Sequence, residues 1–463
     1  MKLIIKNPII PARSHEMGVN DDYDLRAICV FAATGFFLDT DTYYKGLKIL
    51  PAATILKEDG AQEKYFKWHY QPRNISLSAA TDEFADLFET IIKEQTGNRK
   101  VILPLSGGLD SRTQAAALKR IGAKVHTYSY QFQNGYPEAD ISEKIAKAQV
   151  FSFQRMIVRP GYLWDCIDRL ADINGCYSEF THPRQMAFID EYAAMGEVFS
   201  LGHWGDVLFD DMGVPDDLPF EKQVEVVLKK ILKKGGLELA RALWAEWGLD
   251  GSFDDYLRAR VELLLKAIDI SGSANARIRA FKSLYWAPRW TSVNLSVFES
   301  VRPVTLPYYD NRMCEFICTI PEKHLAGRQI QIEYLKRVAP QLARITWQKH
   351  SPFNLFNYRW NRSPYNLPFR LAGKLNRIIS TQKYVQRNWE LQFLGEENKN
   401  QFKNRIFEKS SGNLLPAKVV RQFWEAFWQK DQVYYSHPLS MLLTLSLFSS
   451  QMEKKNLSTV EIT

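Results

Sequence analysis

In VILPLSGGLDSRTQAAALKRIG, residues 101–122, an apolar run carrying one proline leads into Ser-Gly-Gly, then an aspartate, then a helical pattern. A structural turn needs at most one glycine. Gly107 and Gly108 together let backbone N–H groups approach an anion closely and adopt conformations a side chain would forbid. Ser106 and Ser111 add hydroxyl donors, and a helix starting near Asp110 points its positive end at the same spot. A bare phosphate would be repelled by Asp110. The carboxylate makes sense if it holds a Mg²⁺ that bridges it to phosphate oxygens. The stretch therefore predicts a site for pyrophosphate with its metal, and it lacks the Gly-Lys-Ser/Thr of a Walker loop.

The surrounding pattern says what positions this loop. Residues 1 to about 75 read as strands and turns, with a hairpin signal in two apolar runs around Glu58-Asp59-Gly60. LSAATDEFADLFETIIKEQTG reads as a helix with Thr81 as its cap, a stripe of Phe84, Leu87, Phe88, Ile91 and Ile92, and Gly97 as its stop. Then strand (101–105), helix (110–121), strand (124–132), helix (138–149) and the short segment SFQRMIV follow in turn. A helix over HPRQMAFIDEYAAMG leads to a strand at 197–202. That alternation predicts an α/β fold, a doubly wound parallel sheet with helices on both faces, and its loop at a strand's carboxyl end is where such sheets bind ligands. Beyond about residue 220 the chain reads as mostly helical.

Composition excludes little but bounds the class. The 463 residues, 46% hydrophobic and 24% charged, suit a globular protein with a large core. The run PLSMLLTLSLF (438–448) is about half the length a membrane-spanning helix needs, so no span is expected and the run reads as a core helix. No secretory signal is read at the start, where Pro8 and Pro11 break a short apolar run. Five cysteines are too few for a disulfide framework, which fits a cytoplasmic setting; Cys314 and Cys318 share a helix face and read as packing rather than half a metal site. The net charge of +8 permits nucleic-acid contact. The lysine-rich stretch 220–236 nevertheless reads as a solvated surface helix, and no nucleic-acid partner is expected.

Ser-Gly-Gly-Leu-Asp-Ser after an apolar strand resembles the pyrophosphate (PP) loop of the N-type ATP pyrophosphatases. Within that group the chain resembles the asparagine synthetase family, with an adenine nucleotide alpha hydrolase-like core. Three further stretches carry the likeness: 31–56, SLGHWGDVLFDDMG (200–213), and LPYYDNRMCEFICTIPEKHLAG (306–327) followed by TWQK (346–349). The resemblance implies that residues 1–75 are a truncated amidotransferase-like β domain and 76–463 an ATP-dependent synthetase domain. The α/β core would span about 98–215, with a helical remainder. It implies ATP and Mg²⁺ as cofactors and a small-molecule or carrier-bound carboxylate as substrate. The carboxylate would be activated as an acyl-adenylate with loss of pyrophosphate, then attacked by ammonia or an amine to give an amide and AMP.

Residue by residue, Ser106, Gly107, Gly108, Asp110 and Ser111 match the loop. Asp206 matches the second metal carboxylate, Gly202 a glycine beside the nucleotide, and Tyr130 a position lining the adenine pocket. Lys349 aligns with a lysine that neutralises charge developing on phosphate and acyl centre, with Lys336 as a rival. Three departures follow. Lys2 rather than a cysteine follows Met1 and Cys29 is internal, so glutamine hydrolysis in cis is not expected and ammonia would come from solution or a separate glutaminase. His203 replaces the loop glutamate, where it could act as a proton acceptor. Asp210 and Asp211 replace closing glycines. These changes suggest a substrate other than aspartate, as in branches that make β-lactams, cyclise lasso peptides or amidate glycan uronic acids. A tRNA-modifying adenylating enzyme and a non-catalytic homologue are the alternatives.

Overall fold

The structure, a computed structural model, describes residues 22–371, 384–408 and 414–460. Helix α1 (Leu25–Thr34) comes first, followed by an antiparallel hairpin of β1 (Thr54–Leu56) and β2 (Gln62–Lys64). The hairpin turns around the expected Glu58-Asp59-Gly60. The helix differs from the strands and turns expected here. Eight of its ten residues are buried, so AICVFAAT is apolar on nearly every face and offers no helical period to read.

Helix α2 (Leu77–Thr96) precedes the sheet. Its cap is Ser76, whose hydroxyl accepts from Ala79 N at 3.1 Å, one turn earlier than the expected Thr81. Thr81 instead lies inside the helix and donates to Leu77 O at 2.7 Å. The sheet contains β3 (Val101–Pro104), β4 (Val125–Phe132), β5 (Ser152–Val158), β6 (Val198–Ser200) and β7 (Val304–Thr305). Its order is β5-β4-β3-β6-β7, and every pair is parallel. Val101, Ile102 and Leu103 are all fully buried, which suits the central strand of a sheet covered on both faces. Helix α3 (Asp110–Arg120) links β3 to β4, α4 (Ala139–Gln149) links β4 to β5, and α5 (Tyr162–Asn174) follows β5.

Where one helix was expected over 182–196, the chain forms a 3₁₀ turn (Arg184–Phe188) and a short helix (Tyr192–Met195). The Gln185 carbonyl, which a continuous helix would give to residue 189, accepts from the Tyr192 hydroxyl at 3.2 Å instead. Because β3 pairs with β4 on one side and β6 on the other, strand order reverses between β3 and β6. That reversal opens a crevice at their carboxyl ends, where a ligand can meet backbone from both strands.

The remainder is helical. Phe220–Ile231 buries Val224, Val227 and Ile231 and leaves Lys222, Lys229 and Lys230 exposed, as a surface helix should. Residues 438–448 lie within the helix Gln432–Val460, where Leu439, Met441, Leu442, Leu443 and Leu445 are fully buried core. Cys314 and Cys318 are buried and free in Asn311–Cys318. Among the described residues no helix is long and apolar enough to cross a membrane.

Candidate functional site

A cleft of about 550 Å³ opens at the crevice, lined by Gly108, Asp110, Asp206, Asp210, Asp211, Lys230, Lys282, Arg328, Gln348 and Lys349 among others. Six segments distant in sequence therefore meet there: the loop after β3, the loop after β6, the helix end at Lys230, the turn of helix at Lys282, the turn at Arg328, and the 3₁₀ turn Gln348–His350.

The loop after β3 is held by its serines. Ser111 Oγ accepts from Ser106 N at 3.0 Å and lies 3.1 Å from Ser106 Oγ. Ser106 Oγ accepts from Gly108 N at 3.3 Å. Neither Gly107 nor Gly108 has a positive φ, so the expected special backbone conformation is not what these glycines supply. Gly107 is required for space: a Cβ there would lie 2.8 Å from the Gln348 side chain. The loop is thus packed directly against the segment that carries Lys349.

Arg112, which the sequence reading passed over, makes that packing permanent. It is fully buried. Its Nη1 donates to Leu342 O (3.2 Å) and Ile345 O (2.9 Å), and its Nη2 to Gly107 O (3.1 Å) and Thr346 O (2.8 Å). An arginine in a helix usually reads as solvent-facing, so this role carries no local sign.

Asp110 opens α3. Its Oδ1 accepts from Arg328 and, at 3.1 Å, from Gln331 Nε2. Tyr308 donates its hydroxyl to Asp110 O at 3.1 Å. Burial pushes the Asp110 carboxyl above its ordinary range. Arg328 and Gln331 pull it down, and the Asp206 charge pushes it up. Asp206 sits in the short helix Gly205–Leu208, and Gly205 must lack a side chain because a Cβ there would overlap the Asp110 carboxylate. Gly202 likewise backs onto Asp110. The loop after β6 is fixed by a buried bidentate pair, Arg279 with Glu322 at 2.6 and 2.7 Å. Arg279 also donates to Val207 O and Asp210 O. Asp210 Oδ1 accepts from Gly327 N at 2.8 Å, which anchors the turn presenting Arg328.

The structure brings Gly108, Asp110, Asp206 and Lys349 together and leaves other sequence candidates apart. Lys336 pairs with Glu333 at 2.9 Å and does not line the cleft. His203 lies against Phe298, ring centroids 6.5 Å apart, and is not in the cleft lining. Burial lowers it to about 4 despite the Asp206 charge, so it is neutral near pH 7, and its buried Nδ1 has no hydrogen-bond partner. Tyr130 stands on β4 beneath the Arg184 guanidinium, 5.8 Å from its ring centre, also outside the cleft lining. Lys282 was missed by sequence. Burial lowers its ammonium to about 8, and it sits over Trp204 and Trp286 at 5.5 and 5.1 Å.

Among the described residues no group of three or more His, Cys, Asp or Glu gathers as an all-protein cage. Asp110 and Asp206 line the cleft where the two strand ends meet, with Asp210 and Asp211 further along the second loop. That set fits Mg²⁺, which is commonly held by one or two carboxylates plus phosphate oxygens and water.

The sheet order makes this a doubly wound α/β domain, and the serine-glycine-aspartate loop at its reversal resembles a pyrophosphate loop. The asparagine synthase family model matches residues 83–198, from within α2 into β6. Over that segment, which contains the whole loop and stops before Gly202, the chain is asparagine synthase-like. No curated protein matches. Among solved structures, NMN synthetase from Francisella tularensis aligns at 14% identity over 45% of this chain and 93% of its own, with a TM-score of 0.23. NAD+ synthetase from Burkholderia pseudomallei aligns at 18% identity over 43% and 94%, with a TM-score of 0.20.

Proposed function

We propose that this protein is an ATP-dependent amide-forming ligase of the pyrophosphate-loop type, which activates a carboxylate as its acyl-adenylate and transfers ammonia or an amine to it. The observation that carries the reading is the convergence of Gly108, Asp110, Asp206 and Lys349 on one cleft. In this reading the loop from Ser106 to Ser111 binds the β- and γ-phosphates. Its serine hydroxyls and the N–H groups at the start of α3 meet their charge. Asp110 and Asp206 would hold Mg²⁺, which would supply charge neutralisation at the phosphates and ease loss of pyrophosphate.

Lys349 and Lys282 border the same space and offset negative charge as the carboxylate oxygen displaces pyrophosphate from the α-phosphorus. The second half-reaction needs a neutral amine and a proton acceptor. His203 would be that acceptor only if substrate binding exposes it to the cleft. Cys29 is buried, and burial pushes its thiol up, which disfavours it as a nucleophile for glutamine hydrolysis. Ammonia would then come from solution, from a partner glutaminase, or as an amino group on a second substrate. Asp210 and Asp211 at the cleft wall support an acid other than plain aspartate.

The test is pyrophosphate release from Mg–ATP with ammonium present, comparing aspartate with a panel of other acids that includes sugar acids. Release that depends on one acid and forms AMP is expected. Asp110→Asn should abolish it. ATP-dependent turnover that yields ADP and phosphate would refute the adenylation reading.

A further inference from the structure

Between residues 334 and 389 the chain has eleven Lys and Arg and no Asp or Glu, where its average would place about six acids. The same region holds the largest concentration of exposed apolar side chains. Among the described residues, fourteen large apolar side chains stand exposed, and six fall between Phe356 and Leu371: Phe356, Trp360, Tyr365, Leu367, Phe369 and Leu371. We infer that the Phe356–Leu371 segment is a docking surface for an anionic lipid bilayer, which holds the cleft beside the membrane.

The segment is attached to the cleft rather than loose. Phe353, buried, packs its ring against Phe369 with centroids 5.3 Å apart. Tyr358 packs against the cleft residue Trp347 at 5.3 Å and accepts from Gln329 at 2.9 Å. Exposed Arg359, Arg362 and Arg370 alternate with the apolar side chains. Lys336 and Arg344 each place a cation 5.8 Å from the Phe356 ring.

This mixture selects its occupant. Aromatic and leucine side chains with interleaved cations insert at the headgroup boundary of a bilayer, and the cations gain from anionic headgroups. A second copy of the chain would bring the same unrelieved positive charge to the contact and be repelled. Nucleic acid would reward the cations and the aromatic faces, but Leu367 and Leu371 offer no stacking surface to bases. The inference is independent of the ligase reading.

Co-sedimentation of the whole protein with vesicles tests it, comparing pure phosphatidylcholine with vesicles containing phosphatidylglycerol. Binding to the anionic vesicles about ten-fold tighter than to neutral ones is expected. Trp360→Ser with Leu371→Ser should weaken it about ten-fold or more, because two inserting side chains are lost. Arg362→Glu with Arg370→Glu should weaken it comparably. All four side chains are exposed, so unchanged circular dichroism and unfolding midpoint are expected to accompany the loss. Equal pelleting with neutral and anionic vesicles, or full binding by the Trp360/Leu371 double variant, would overturn the inference. So would binding to tRNA, without vesicle binding, that survives the Trp360/Leu371 change; that result assigns the surface to nucleic acid.

Discussion

Arg112 is the residue whose loss should be felt in both stability and turnover. Its guanidinium reaches four carbonyls and has no carboxylate partner, and its Nε has no hydrogen-bond partner at all. Burial lowers it to about 10 from an ordinary value of 12.5. At about 1.4 kcal/mol per unit, that burial costs about 3 kcal/mol, a sum recovered when the charge is removed. Each carbonyl stripped of its donor in a dry interior costs about 2 kcal/mol. With four such acceptors, Arg112→Ala should destabilise the fold by about 5 kcal/mol net. Arg112→Lys keeps the charge, but a single ammonium cannot reach Gly107 and the 342–346 segment in the same fork, so about half that loss is expected. The urea midpoint reads the stability change. Pyrophosphate exchange reads the second effect: Lys349 loses its register against the loop, and a displacement of about 1 Å there costs about 100-fold in rate. An Arg112→Ala protein within about 1 kcal/mol of wild type, exchanging pyrophosphate at the wild-type rate, would refute this account of how the cleft is held.

Three further outcomes follow from the same geometry. Gly205→Ala should lower pyrophosphate exchange about 100-fold or destabilise the fold by about 1–3 kcal/mol, since its methyl overlaps the Asp110 carboxylate; wild-type exchange and an unchanged midpoint would show that Asp110 has room to move. Lys349→Ala should reduce turnover by about 100-fold with little change in stability, while Lys336→Ala loses a pair with Glu333 and a cation over Phe356, neither in the cleft lining, and should turn over as wild type; parallel kinetics of the two variants decide between them. His437 is half-buried, its loss of solvation lowers it to about 3, and its Nε2 lies 3.0 Å from Ala32 O. A folded value below the unfolded 6.5 means the unfolded chain binds more protons, so this group's stabilisation is full above about pH 6.5 and is lost as pH falls from there towards 3. Its contribution to the slope approaches about 1.4 kcal/mol per pH unit within that window. Urea titrations at pH 7 and 5 on wild type and His437→Gln measure it, and equal pH slopes would count against it.

Much of the sheet was legible because its signals are local. Val-Ile-Leu before a Gly-Gly loop marks a buried strand and a tight turn, and the helices between strands carry apolar stripes of their own. The long-range parts were not. Strand β7 is two residues, too short for any pattern, and α1 is apolar on nearly every face beyond Arg26. At the site, Ser106 and Asp110 belong to one short motif and Asp206 is reached only through the family resemblance, whereas Arg328 and Gln331 reach Asp110 across more than 200 positions. Arg112 and Arg279 have the composition of surface residues and the environment of core ones. Nothing in a single sequence separates those two states without knowing which carbonyls wait nearby.

Helix α1 and the turn after it carry a consequence for how the chain is made. Ala32 O meets His437, Ala33 O accepts from Lys233 N, and Tyr43 stacks on Phe448 with centroids 3.6 Å apart. The first of these contacts spans 405 positions. At about 5–20 residues per second on the ribosome, this mostly apolar helix leaves the exit tunnel and waits about 20–80 s for its last partners. It is among the earliest core to be synthesised and among the last to be covered. During that wait it is the segment most in need of a chaperone, and the one where slowed translation would cost most in yield.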